Sequence, residues 1–157
     1  MKLKWKIILI YLFLLVIGLW MKGCEADEID EAIPFLITIE SNGNPSAYNE
    51  STKCRGLLQI SEIVLREWNT NENHQALETR DLYNKAVNIT IGSWYLHRIK
   101  DHYLPHYGIP YNFDFVLIGY NFGVGGLNKW YKAGAKINKL PRETRNYLTR
   151  FHKLRGY

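Results

Sequence analysis

Glu31-Ala32-Ile33-Pro34-Phe35-Leu36-Ile37-Thr38-Ile39-Glu40-Ser41 is the stretch on which the reading of this chain turns. Phe35, Leu36, Ile37 and Ile39 cover nearly every side of a helix drawn over it, which marks a helix buried on most of its surface. Pro34 falls near the start, where a missing N–H is harmless, and Asn42-Gly43 supplies a C-terminal stop. Into this apolar setting the sequence puts Glu40, which shares a face with Ile33, Leu36 and Ile37 by helical spacing. A carboxyl group there loses hydration, which favours its neutral form. The negative end of the helix dipole pushes the same way. Both effects raise its pKa and make it a proton donor near neutral pH. The same pattern also allows Glu40 to lie at the helix end and point into water, so it names a candidate rather than an enzyme.

Outward from this helix, turn-forming clusters punctuate a series of helical stretches. A polar loop, 44–53, leads to Gly56-Leu57-Leu58-Gln59-Ile60, and Ser61 is placed to cap a helix through Glu67. The longest helix is predicted over Asn84 to Leu104, with Ala86, Ile89, Leu96 and Ile99 along its apolar stripe. Further helices are expected over Phe113–Tyr120, Leu127–Lys132 and Pro141–Lys153, with Gly123, Gly125 and Gly126 forming a bend. Strand alternation is confined to short irregular pieces. The fold class is mainly α, in one domain over 27–157, preceded by an N-terminal segment, 1–26.

That segment sets the expected compartment. Ile7 to Met21 is an uncharged run of 15 residues preceded by Lys2, Lys4 and Lys6, the pattern of an export signal. It is shorter than the ~20 residues that span a bilayer, but Lys6 and Lys22 can snorkel and extend its reach. A cleaved signal and a retained membrane anchor are both open. The body is therefore expected outside the cytoplasm, in the cell envelope (periplasm or outer face of the membrane) or secreted.

The net charge of +5 depends on this segment, because removing Lys2, Lys4, Lys6 and Lys22 leaves sixteen basic against fifteen acidic residues. A nearly balanced body excludes a dedicated nucleic-acid binder, which must neutralise many phosphates. Arg142, Arg145, Arg150, Lys153 and Arg155 read as a solvated helix face, or as a patch for an anionic wall. Cys24 and Cys54 are too few for a disulfide framework, and Cys54 reads as a small buried residue. His74, His97, His102, His106 and His152 show no metal-like spacing, so neither metal nor cofactor is expected.

Short motifs in fixed order carry a family resemblance. Glu40-Ser41 followed by Asn-Gly-Asn-Pro, then Gly56-Leu57-Leu58-Gln59-Ile60, resembles the soluble lytic transglycosylase family. So do Asp81-Leu82-Tyr83 with Asn88-Ile89, Ile91-Gly92 and Tyr95-Leu96, then Gly119-Tyr120-Asn121 with Gly123, and Pro141-Arg142-Glu143-Thr144-Arg145-Asn146-Tyr147. The resemblance spans residues 31–151. It implies a lysozyme-like α fold and cleavage of the bond between N-acetylmuramic acid and N-acetylglucosamine in peptidoglycan strands.

The resemblance also implies roles. Glu40 matches the single catalytic acid and base, and Ser41 the residue that supports hydrogen bonding beside it. Gln59 matches a substrate-binding position. Tyr120 is expected near the catalytic carboxyl, and Asn121 near the sugar's acetamido group. Glu143 and Tyr147 are expected to brace the cleft, Glu143 through a buried hydrogen bond. The chain departs from the family pattern at Leu58, usually Met, and at Gly119 and Cys54, often Ala. These changes affect subsite fit and leave the proton chemistry intact.

Ordinary glycosidases use two carboxyl groups. One suffices here if the sugar's acetamido group assists and the C6 hydroxyl closes the ring, giving a 1,6-anhydro product. A hydrolytic lysozyme of the same fold is the rival reading, with Glu50, Glu62 or Asp114 to activate water. A non-catalytic peptidoglycan-binding subunit of an envelope apparatus is the other. A monomer is expected.

Overall fold

The computed structural model describes residues 27–71 and 73–156. The chain divides into Met1–Glu31 and Ala32–Tyr157, and the second unit carries the site. The expected signal or anchor over 1–26, together with Cys24 and its pairing, lies outside the described residues. Among the described residues no helix is long and apolar enough to cross a membrane.

The first helix, α1, spans Glu28–Ser41 and so begins three residues earlier than its apolar run predicts. Acidic residues Glu28, Asp30 and Glu31 occupy its first turn, where the helix dipole favours negative charge. Pro34 consequently stands inside the helix rather than near its start. One helix bond is forgone there, and Thr38 Oγ1 donates to the Pro34 carbonyl at 3.0 Å. The helix ends as the sequence predicts, with Asn42 and Gly43 both at positive φ, 52° and 78°. Leu36 and Ile39 are buried, whereas Phe35 and Ile37 are only half-buried. The helix is therefore amphipathic, not sheathed on all sides.

Beyond it, Tyr48–Asn49 (β1) and Cys54–Arg55 (β2) form a two-residue antiparallel ladder. Helix α2, Glu62–Asn69, starts at Ser61, whose Oγ accepts from Val64 N as expected. A 3₁₀ turn over Thr79–Tyr83 precedes α3, Lys85–Arg98, capped by the Asn84 side chain on the N–H groups of Ala86 and Val87. The predicted long helix continues past Arg98 only through a π-helical turn, Ile99–Tyr103, and one α-turn, α4, Leu104–His106. Leu96 and Ile99 face the core as expected, but Ala86 is exposed; Asn88, Ile91, Gly92 and Tyr95 complete the buried stripe instead.

Helix α5, Phe113–Phe122, is the centre of the domain, contacting α3, the π turn and the two helices that follow it. Those are α6, Val124–Lys132, and α7, Arg142–Arg155. Val116, Leu117 and Ile118 of α5 are almost wholly inaccessible to solvent. A Cβ at Gly119 would lie 3.0 Å from Ile99 Cγ2 and 3.2 Å from Leu127 Cδ2. Both contacts would be tighter than ordinary van der Waals packing, so α5 lies close against its neighbours there. On α7, Thr144, Tyr147, Leu148 and Phe151 are buried, at the three- and four-residue spacing that lays one face on the core.

Candidate active site

Glu40 borders a cleft with two adjoining lobes. A narrow lobe of about 480 Å³ includes Cys54, Gln59, Tyr120, Asn121, Glu143 and Tyr147 in its lining. A wide lobe of about 880 Å³ includes Ser41, Tyr48, Glu50, Arg150, Lys153 and Leu154. Ile39, Glu40, Asn49, Gln59 and Arg150 line both. Of the seven residues singled out in the sequence, six line the narrow lobe, and Ser41 lines the wide one.

The Glu40 carboxyl is pushed up to about 7. Burial is the main cause, because ionising a poorly hydrated carboxyl is unfavourable. The Tyr147 hydrogen bond and the Arg150 charge both oppose the rise, and the Glu143 charge adds to it. As a residue Glu40 keeps some contact with solvent at the cleft. Its carboxyl is nevertheless deep enough for lost hydration to dominate its titration. Tyr147 Oη donates to Glu40 Oε1 at 2.9 Å, and Tyr147 itself is only 5% exposed. One turn further along α7, Arg150 Nη2 donates to the Ile39 carbonyl at 3.2 Å. Helix α7 thus ties both the acid and the backbone beside it.

Gln59 is held by a compact loop. Leu58 N donates to Asn88 Oδ1 at 2.8 Å, and Asn88 Nδ2 donates to the carbonyls of Arg55 and Leu82 at 2.9 and 2.7 Å. Asn88 is fully buried, so all three bonds run in a poorly hydrated environment where an unmade one is costly. On the other side of the same residue, Tyr120 Oη donates to the Leu58 carbonyl at 2.7 Å. Gln59 follows at φ 46°, an uncommon left-handed geometry for a side-chain-bearing residue. Its amide nitrogen reaches the carbonyls of Gly56 and Ala47 at 3.0 and 3.4 Å.

Tyr120 shares the narrow lobe with Glu40, whose charge acts on its phenol, while the phenol hydrogen-bonded to Glu40 is that of Tyr147. Two sequence expectations are corrected here. Glu143 is exposed rather than buried, and it acts on Glu40 through its charge. Cys54 is half-buried and lines the cleft instead of filling the core. Ser41 Oγ donates to the Ile37 carbonyl at 3.2 Å, a local bond as expected. Asn121 lines the narrow lobe.

Of the other acids, Glu62 pairs with Arg55 at 3.2 Å and Asp114 with His152 at 2.9 Å. Glu50 alone of these three lines the cleft, in the wide lobe. Among the described residues no cluster of His, Cys, Asp and Glu could hold a metal ion. Arg150 and Lys153, which read in the sequence as a solvated helix face or a patch for an anionic wall, line the cleft together with Asn146 and Leu154, to which the sequence gives no role. Their spacing after Glu143 and Tyr147, by three or four positions each, was the signal that α7 runs along the cleft as one wall.

A mainly helical domain with one desolvated carboxyl at the junction of two lobes can donate a proton near neutral pH and take it back. The family model of the Transglycosylase SLT domain matches residues 19–140. The chain therefore belongs to that family, whose chemistry is lytic-transglycosylase-type cleavage of cell-wall peptidoglycan. No curated protein and no solved structure matches it. The matched stretch carries Glu40, Ser41, Gln59, Tyr120 and Asn121, and it ends before Glu143 and Tyr147.

Proposed function

We propose that this chain cleaves the β-1,4 bond between N-acetylmuramic acid and N-acetylglucosamine without water, leaving 1,6-anhydromuramic ends. The single observation that carries the reading is a carboxyl pushed up to about 7 at the junction of a two-lobed cleft. Glu40 first gives its proton to the bridging oxygen as the C1–O bond breaks, and the acetamido carbonyl oxygen bonds to C1. The Glu40 carboxylate then takes the proton of the C6 hydroxyl, O6 bonds to C1, and the acetamido oxygen leaves. Glu40 ends protonated, so one carboxyl serves as acid and then as base.

Gln59 and Asn121 contact the sugars, and Ser41 supports the helix end that carries Glu40. Tyr147 orients the carboxyl. Glu143 keeps a like charge near it, which favours the protonated starting state. Tyr120 positions the Gln59 loop through Leu58. Export by the 1–26 segment places the domain, acting as a monomer, in the envelope beside its polymer.

Mass spectrometry of peptidoglycan digested by the full chain tests the reading. Anhydro ends are expected, and their loss in Glu40→Gln. Reducing ends would replace the mechanism by hydrolysis, with Glu50 the acid to substitute next. Glycan binding with no cleavage by the wild type would make the chain a non-catalytic subunit.

A further inference from the structure

The two lobes differ in chemistry, and the difference points to different parts of the substrate. The narrow lobe offers the amides of Asn121 and Asn146 and the side-chain oxygen of Gln59, suited to neutral hydroxyl and acetamido groups. Arg150 borders both lobes, and beyond it along α7, three and four residues on, Lys153 and Leu154 line the wide lobe alone. Leu154 is 44% exposed and Tyr48, which also lines this lobe, 42%. Two large apolar side chains left in a groove beside two cations form an amphipathic surface.

Charge accounting supports an acidic ligand. The charged groups lining the wide lobe are Glu40, Glu50, Arg150 and Lys153. Arg150 spends one donor on the Ile39 carbonyl and keeps others. Lys153 is exposed. Among the described residues lining this lobe, the carboxylates opposing them are Glu50 and Glu40, and burial of Glu40 favours its neutral form.

We infer that the wide lobe receives the carboxylate-bearing peptide branch of the muramic acid, with Arg150 and Lys153 meeting its carboxylates and Tyr48 and Leu154 its apolar side chains. The inference rests on the proposed function, since the branch leaves the same muramic ring whose C1–O bond Glu40 protonates. Both lobes border Glu40, so a strand seated in the narrow lobe can send its branch into the wide one. About 880 Å³ is of the size that encloses a ligand larger than one sugar. The chain would then favour peptide-substituted strands over stripped ones.

The test measures binding and turnover separately. Full-length Glu40→Gln chain is co-sedimented with insoluble glycan strands carrying their peptides, and with the same strands stripped by an amidase. Intact strands should bind about tenfold tighter, the scale of one or two charge-assisted contacts. Adding Lys153→Glu should erase most of that ratio, whereas Lys132→Glu, exposed on α6, should leave it alone. Equal affinity for both strands, tighter binding of stripped strands, or a ratio indifferent to Lys153→Glu overturns the inference. Wild-type turnover is assayed independently on both strands. Its absence would overturn the enzymatic reading while leaving the binding ratio to decide the peptide site.

Discussion

The Tyr147 hydroxyl donates to Glu40 Oε1 at 2.9 Å across 107 positions of chain. This bond joins the helix that carries the acid to the helix that walls the cleft. It stabilises the charged carboxylate more than the neutral acid, so it holds the Glu40 pKa below what burial alone would give. Tyr147→Phe should therefore move the descending limb of the kcat/KM profile to higher pH. The carboxyl also loses its fixed orientation, and kcat should fall about 10- to 100-fold with little change in KM. A limb that stays in place would show that the bond is not made in solution.

Glu40→Gln should abolish cleavage and yet stabilise the fold at alkaline pH. With a folded-state pKa of about 7 against an ordinary 4.5, the folded protein binds more protons than the unfolded chain between those values. Stability from this group is thus full below about pH 4.5, falls as pH rises towards 7, and is flat above. The loss is roughly 3 kcal/mol. Thermal melts should show the variant gaining on the wild type between pH 5 and pH 8. Parallel melting curves across that range would contradict a desolvated carboxyl.

Asn88→Ala should cost about 3–5 kcal/mol, since it leaves the Leu58 N–H and the carbonyls of Arg55 and Leu82 buried without partners. Denaturant unfolding measures the cost. In the surviving folded fraction KM for glycan should rise more than kcat falls, because the loop released is the one that carries Gln59. Asn88→Asp should not rescue, since a buried carboxylate could accept from Leu58 but would face the carbonyls of Arg55 and Leu82 with no proton to give.

Gly56 and Gly43 share nearly the same backbone angle, φ 79° and 78°, but not the same surroundings. A Cβ at Gly56 would fall 2.1 Å from Asn88 Nδ2 and 2.3 Å from the Leu82 carbonyl oxygen, whereas one at Gly43 meets nothing within 4 Å. Gly43→Ala should cost only the left-handed strain, about 1–2 kcal/mol. Gly56→Ala must also displace the Asn88 network and should lose several-fold more, read as the difference in unfolding midpoints.

The acid was legible from residues 31–41 because helical spacing places side chains without knowledge of the rest of the fold. Ser61 as a cap and Asn42-Gly43 as a stop were legible for the same reason, being bonds within a few residues. The extent of α1 was less so. Its apolar run predicts a start at Glu31, but the acidic residues before it favour an earlier one and move Pro34 into the helix. The long helix predicted through Leu104 concealed a π turn, which rests on packing that local pattern does not encode.

What the sequence determined by itself was a mainly helical chain, an acid on a hydrophobic helix face, and the ordered motifs around it. Tertiary structure decided which phenol holds that acid, that Glu143 stands in solvent, that Cys54 lines the cleft, and that α7 forms one wall from Glu143 to Leu154. The reason is range. Desolvation of a helix face follows from neighbours three and four residues away, whereas Tyr147 to Glu40 and Tyr120 to Leu58 are meetings of side chains 107 and 62 residues apart. Only the docking of α7 and α5 against the rest sets those distances.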